Sequence, residues 1–180
     1  ILRQNGITTI AEPGFPRANF ELELSLLKDE MAGNPPYDVY LIPSGTQLYG
    51  KTGGNREAMA FIEGLATNSA YNTQNVHFLP KQVKLFADGA IYSQLMQMKD
   101  GYTDGHEGEW MMDKDDFDRA FRVYWDAGYQ IHVHVNGDAG LDRVLDTLEL
   151  NLRRNPRYDH RTVLVHFAVS AEDQVKRIAD

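Results

Sequence analysis

Cysteine is absent from this chain of 180 residues. Disulfides, thiolate metal sites and cysteine nucleophiles are therefore excluded together. Basic residues are scarce: 18 Lys and Arg stand against 26 Asp and Glu, for a formal net charge of −8. That balance argues against nucleic acid or an anionic membrane surface as a partner. No apolar run approaches the roughly 20 residues that a membrane-spanning helix requires. The opening, ILRQNGITTI, has neither an initiator Met nor a signal peptide. The close, SAEDQVKRIAD, stops inside a helical pattern, so both ends read as cuts in a longer protein. An unstapled core is compatible with a reducing compartment, and the cytoplasm is the expected location.

What is present suits one folded domain. Hydrophobic residues make up 42% and aromatic residues 11%, enough for a sizeable core. ITTIAEPG is a short β-branched run closed by Pro and Gly, the pattern of a strand and a turn. The 23–31 part of NFELELSLLKDEMA fits a helix, stopped by Gly33 to Pro36. YDVYLIPSG reads as the next strand, REAMAFIEGLA as a short helix inside the Gly- and Asn-rich stretch 49–75, and VKLFADGA as a strand ending at a turn. DKDDFDRAFRVYWDAG opens with acidic residues suited to a helix N-terminus and ends at Gly128. YQIHVHV is a strand, AGLDRVLDTLELNLRRN an amphipathic helix, RTVLVHFAV a strand and SAEDQVKRIAD a helix start.

Strand and helix thus alternate about five times, the order of an α/β fold with parallel strands and right-handed crossovers. Apolar strands such as TVLV fit a sheet covered on both faces. A doubly wound sheet and a (β/α)8 barrel both satisfy this order. The barrel is favoured because Lys84, His134 and His166 each lie in, or at the end of, a different strand, and barrel active sites gather at strand C-terminal ends. A whole barrel takes about 250 residues, so this chain predicts a partial TIM barrel: residues 1–180 would be the central part of one catalytic domain.

Three positions carry chemistry. His134 shares a strand face with His132, two residues away, and imidazole is a common nitrogen ligand for zinc. One of the pair could instead pack or donate a supporting hydrogen bond. His166 interrupts an apolar strand, where a core histidine bonded to a carbonyl is the plain alternative. Lys84 is odder, because lysine is almost never buried without a partner. A desolvated lysine has a lowered pKa, and its neutral amine reacts with carbon dioxide to give an anionic carbamate that can bridge metal ions. An edge lysine reaching to water is the plain alternative.

VKLFADGAIYSQ, the Gly-rich GYTDGHEGEW, AGYQIHVHVNGDAGLDRVLDTLE and RTVLVHFAVS, taken in order, resemble the amidohydrolase superfamily, and within it the YtcJ-like amidohydrolase 3 branch that includes N-substituted formamide deformylases. The resemblance implies strands 2 to 6 of a metal-dependent hydrolase barrel. Lys84 would be the carboxylated lysine of the fourth strand, His134 the metal ligand of the fifth and His166 that of the sixth. Val165 stands where the family commonly has Glu. Asp88 and Asp138 would shape the mouth of the site or serve their own turns, and His132 would be a neighbour outside the motif. Such enzymes also use an HxH pair from the first strand and an Asp from the eighth, both expected outside this chain.

The expected activity is hydrolysis of a small amide-type, non-peptide carbon–nitrogen bond by metal-activated water, with one or two divalent ions and zinc the expected metal. Residues 99–113, with Tyr102, His106 and Trp110, form either a substrate-facing segment or a solvated loop. The chain by itself is expected to be nearly inactive, and its exposed sheet edges favour pairing, including as a homo-oligomer. Two other readings stay open: a Schiff-base lyase or isomerase using Lys84, and a non-catalytic scaffold.

Overall fold

The structure is a computed structural model that describes residues 1–48 and 55–179. Residues 49–54 of the Gly- and Asn-rich stretch 49–75 lie outside the described residues. The chain divides into two compact units, Ile1–Lys84 and Leu85–Asp180.

In the first unit, β1 (Thr9–Phe15), β2 (Asp38–Pro43) and β3 (Val76–Phe78) form a parallel sheet in that order. Ile10 lies beside Val39, and Leu41 beside Phe78. The turn expected at Pro13–Gly14 is instead an irregularity in β1, which resumes at Phe15 opposite Pro43. Gly14 permits this with a φ of 109°, and Pro13 is tolerated because β1 is an edge strand in the described sheet. Helix α1 (Phe20–Met31) starts three residues before the expected span. Asn19 accepts from the Leu22 N–H, while the Glu23 carboxylate accepts from the N–H groups of Arg17, Ala18 and Asn19. These bonds satisfy the donors that an open helix end exposes. Phe20 then joins the core, stacked on Phe78 and edge-on to Phe15, Phe61 and Tyr71. A short turn of helix, α2 (Gly45–Leu48), follows β2, and α3 (Asn55–Thr67) buries Ala58, Ile62 and Leu65.

Strand β4 (Gln82–Phe86) ends the first unit at Lys84 and opens the second at Leu85. It belongs to a sheet of order β4-β5-β6, with β5 (Gln130–Val135) and β6 (Val163–His166) parallel. Helix α4 (Lys114–Asp126) buries Phe117, Ala120, Phe121 and Tyr124, the i, i+3, i+4, i+7 set that its sequence predicts. It ends at Gly128, whose φ is 80°. Helix α5 (Asp138–Arg154) and α4 both pack on β5, and α6 (Glu172–Ala179) packs on α5. Along β5, Ile131, Val133 and Val135 are buried while His132 and His134 are half-buried. Coverage on both faces does not extend to β6: Val163 to Val165 are half-buried and His166 is exposed. The helices cover the valine face of β5, and the histidine face is the more open one. Among the described residues, no helix is long and apolar enough to cross a membrane.

Candidate functional site

Lys84 is 2% exposed, near the middle of β4. In the first unit it forms an isolated parallel bridge with Ser44, just beyond β2. Burial first, then the positive charge of Arg17, pushes its amine down to about 7, against an opposing pull from Glu12. Glu12 and Arg17 are themselves paired at 3.3 Å.

The other two metal-compatible residues meet in the second unit. His134 lies opposite Val165 in the β5–β6 ladder, and His166 opposite Val135. Their rings approach edge to face, with centroids 4.6 Å apart at 76°. Phe86 flanks His134 at 5.6 Å. His166 and Phe167 have φ values of 77° and 49°, so the chain leaves β6 through two consecutive left-handed residues. Such backbone costs on the order of 1–3 kcal/mol per residue. It is held by the Phe167 N–H donating to Val135 O at 3.0 Å and the Val169 N–H donating to Asn136 O at 2.8 Å.

Asp88 is fully buried just after β4. Its carboxylate accepts from three backbone N–H groups: Asn136 at 2.8 Å, Gly137 at 2.7 Å and Gln97 at 2.9 Å. It therefore ties the ends of β4 and β5 to the following loop. Asn136, 2% exposed, donates through Nδ2 to Gly89 O at 3.0 Å and lies 2.9 Å from His134 Nε2. Asp138, at the start of α5, accepts from the Lys99 N–H at 2.9 Å and turns the loop onto that helix. The loop passes so close that a Cβ on Gly137 would sit 2.0 Å from Gln97 O, and one on Gly89 would sit 2.3 Å from Leu95 Cβ. Glycine is required at both positions.

The segment after β4 folds back over the strand end, with most of residues 99–113 exposed to solvent. Glu109 N–H donates to Leu95 O, and Met111 N–H to Ala87 O, and Trp110 bridges to Asp88. Tyr102 and His106 stack at 4.0 Å. His106 places Nδ1 2.5 Å from Asp104 and Nε2 2.8 Å from Gln94 O. The Gln94 carbonyl, then Asp104, hold its pKa above the ordinary histidine value. The guanidinium of Arg143 lies 4.8 Å from the centre of the Trp110 ring and 5.0 Å from that of Phe117.

The structure thus brings His134 together with His166, Asp88 with the strand ends, and Tyr102 with His106. Lys84 is described in its own unit, and His132 shares the face of His134 without joining the His134–His166 ring pair. Among the described residues, no group of three or more His, Asp or Glu side chains is placed to hold a metal ion. Asn136 and Arg143 were missed by the sequence reading. Asn136 had one available signal, since it follows His132 and His134 at the same spacing of two.

Residues 2–180 match the sequence profile of the amidohydrolase family. The chain belongs to that family. Over 99 residues it is 29% identical to the putative amidohydrolase YtcJ of Bacillus subtilis (strain 168), a match covering 54% of this chain and 18% of that protein. Crystal structures of uncharacterized metal-dependent hydrolases from Pyrococcus furiosus and Pyrococcus horikoshii OT3 superpose with TM-scores of 0.67 and 0.66, at 21% and 20% identity. Each superposition covers 98% of this amidohydrolase-family chain, which spans 33% and 32% of those two proteins. At such identity the likeness concerns the fold.

Proposed function

We propose that this amidohydrolase-family chain is part of a metal-dependent hydrolase that cleaves small amide-type carbon–nitrogen bonds, and that its two sheets contain the second to sixth strands of a (β/α)8 barrel. The observation that carries this reading is the His134–His166 pair, two imidazoles 4.6 Å apart at the C-terminal ends of neighbouring parallel strands. Nitrogen donors of this kind suit zinc, and rigid strands hold them precisely. His134 and His166 would hold the ion, with Lys84 as the third protein group. A divalent ion there would supply Lewis acidity and lower the pKa of the water it holds to about 7.

The chain's own residues do the rest. The Lys84 amine, near 7 because it is buried, has a substantial neutral fraction at physiological pH. Its nitrogen attacks carbon dioxide, a proton leaves to solvent, and the carbamate anion replaces a buried cation. Asp88 and Asp138 hold the mouth through backbone N–H groups. Tyr102, His106, Trp110 and His132 would face the substrate, a small neutral molecule.

Metal analysis after exhaustive dialysis tests the reading. Zinc is expected to be retained by the wild type and lost in His134→Ala and His166→Ala, and a ¹³C carbamate resonance from labelled bicarbonate is expected to vanish in Lys84→Met. A chain that binds no divalent ion at any concentration tested, or whose binding ignores all three substitutions, would refute it.

A further inference from the structure

We propose that the groove between α4 and α5 binds a small carboxylate with an apolar body, and that Arg143 holds it. This site makes no use of the histidine pair or of a metal, so it stands apart from the hydrolase reading. A cavity of about 420 Å³ lies there, with Arg143, Lys114, Asp118, Asp142, Asp146 and Leu150 in its walls. A second, of about 200 Å³, shares Trp110, Lys114 and Arg143 with it.

A guanidinium carries five N–H donors and no acceptor, and it is always charged. Arg143 is 9% exposed, and its Nη1 donates to Met112 O at 3.1 Å. Nε and Nη2 are buried and have no partner among the described residues. These two nitrogens form one edge of the guanidinium, along which an N–H of each points the same way. That edge matches the two oxygens of a carboxylate, and paired bonds of this kind combine charge with fixed direction. A buried charged donor left unpaired is costly, so the edge favours an acceptor.

The acids of the groove are engaged elsewhere. Asp118 accepts from Thr147 Oγ1, Asp142 pairs with Lys99 and Asp146 with Arg177, each at 2.7 Å. Asp113 and Asp118 act on the guanidinium through their charge, without bonding Nε or Nη2. Lys114, exposed at the start of α4, has no ion pair among the described residues and adds a second positive charge to both cavities. The walls supply the rest of the recognition. Trp110 is 42% and Leu150 61% exposed, an apolar surface that a ligand would cover. Of the two rings near the guanidinium, Phe117 is fully buried and Trp110 is at the surface. Trp110 is therefore the ring that swings aside when a carboxylate reaches the buried edge.

Benzoate is the probe, and benzamide, of nearly the same shape without the charge, is its control. Titrations of the intact protein at neutral pH are followed by calorimetry and by tryptophan fluorescence. Benzoate is expected to bind saturably and to change the emission of Trp110, a change that Trp110→Phe removes while Trp125 remains. Benzamide is expected to bind more weakly by about tenfold or more. Arg143→Lys keeps the charge and loses the two-pronged edge; it is expected to cost benzoate about tenfold in affinity, the worth of one charge-assisted bond. If Arg143→Lys does not fold, the contrast between benzoate and benzamide on the wild type carries the test. No saturable binding of benzoate, equal binding of benzamide, or a folded Arg143→Lys with unchanged affinity would overturn the assignment.

Discussion

Replacing Lys84 with Met should reshape the pH dependence of stability more than any other single change. The side chain is 2% exposed, and methionine keeps most of its length while deleting its charge. The amine is pushed from 10.5 to about 7, by burial first and Arg17 second. A change of that size penalises the charged form by about 3–5 kcal/mol, at roughly 1.4 kcal/mol per pKa unit. The sign follows from proton binding. Between about 7 and 10.5 the unfolded chain holds the proton and the folded chain has released it, so wild-type stability rises with pH across that window. Below about 7 both states are charged and the full penalty applies; above 10.5 it is gone. Urea unfolding in carbon dioxide-free buffer measures this directly. At pH 6, Lys84→Met is expected to exceed the wild type by about 3–5 kcal/mol, narrowing to about 2 kcal/mol at pH 9. That gain is a large part of the roughly 5–15 kcal/mol by which domains are stable. Parallel pH profiles for the two proteins would show that the amine is not desolvated, and the argument for a reactive lysine would fall with it.

Asp88→Asn leaves one oxygen where two accepted three N–H groups; with about 1–3 kcal/mol per unsatisfied buried donor, urea unfolding should show a loss of about 2–5 kcal/mol. An unchanged midpoint would contradict the role given to that carboxylate. Because the Gln94 carbonyl and Asp104 raise the His106 pKa, their stabilisation is complete below the unfolded value and is lost as pH rises through the higher folded one. Hydrogen exchange in residues 94–113 should therefore quicken with pH beyond its intrinsic increase, and that excess should vanish in His106→Gln. Trp125→Ala empties a fully buried site and breaks the Nε1 bond to Asn155 O at 2.9 Å; a loss of about 3–5 kcal/mol is expected by thermal unfolding, and a loss below 1 kcal/mol would show that the site closes around the gap.

The alternation of strand and helix was legible because each signal is local. In α4 the apolar spacing alone marked the buried face, and in β5 the alternation alone placed His132 and His134 together. Other features escaped for equally physical reasons. β3 has only three residues, Val76–Phe78, too few for a period to show. β1 runs through Pro13–Gly14 because β2 lies alongside it, although the dipeptide by itself signals a turn. The start of α1 depends on Glu23 reaching back to three N–H groups, bonds that apolar spacing does not register. Asn136 read as part of a turn, since its partner Gly89 lies 47 positions away in the chain.

The amino-acid order by itself determined most of the strands and helices, which side chains share a face, and the family pattern carried by Lys84, His134 and His166. Those properties arise from contacts within a few residues. Tertiary structure alone decided that the two imidazoles meet edge to face, that Asp88 is consumed by three backbone N–H groups, and that Asn136 donates to Gly89 O. His134 and His166 lie 32 positions apart, Asp88 lies 48 and 49 positions from two of its donors, and Asn136 lies 47 positions from Gly89; only the pairing of β4, β5 and β6 brings these groups together.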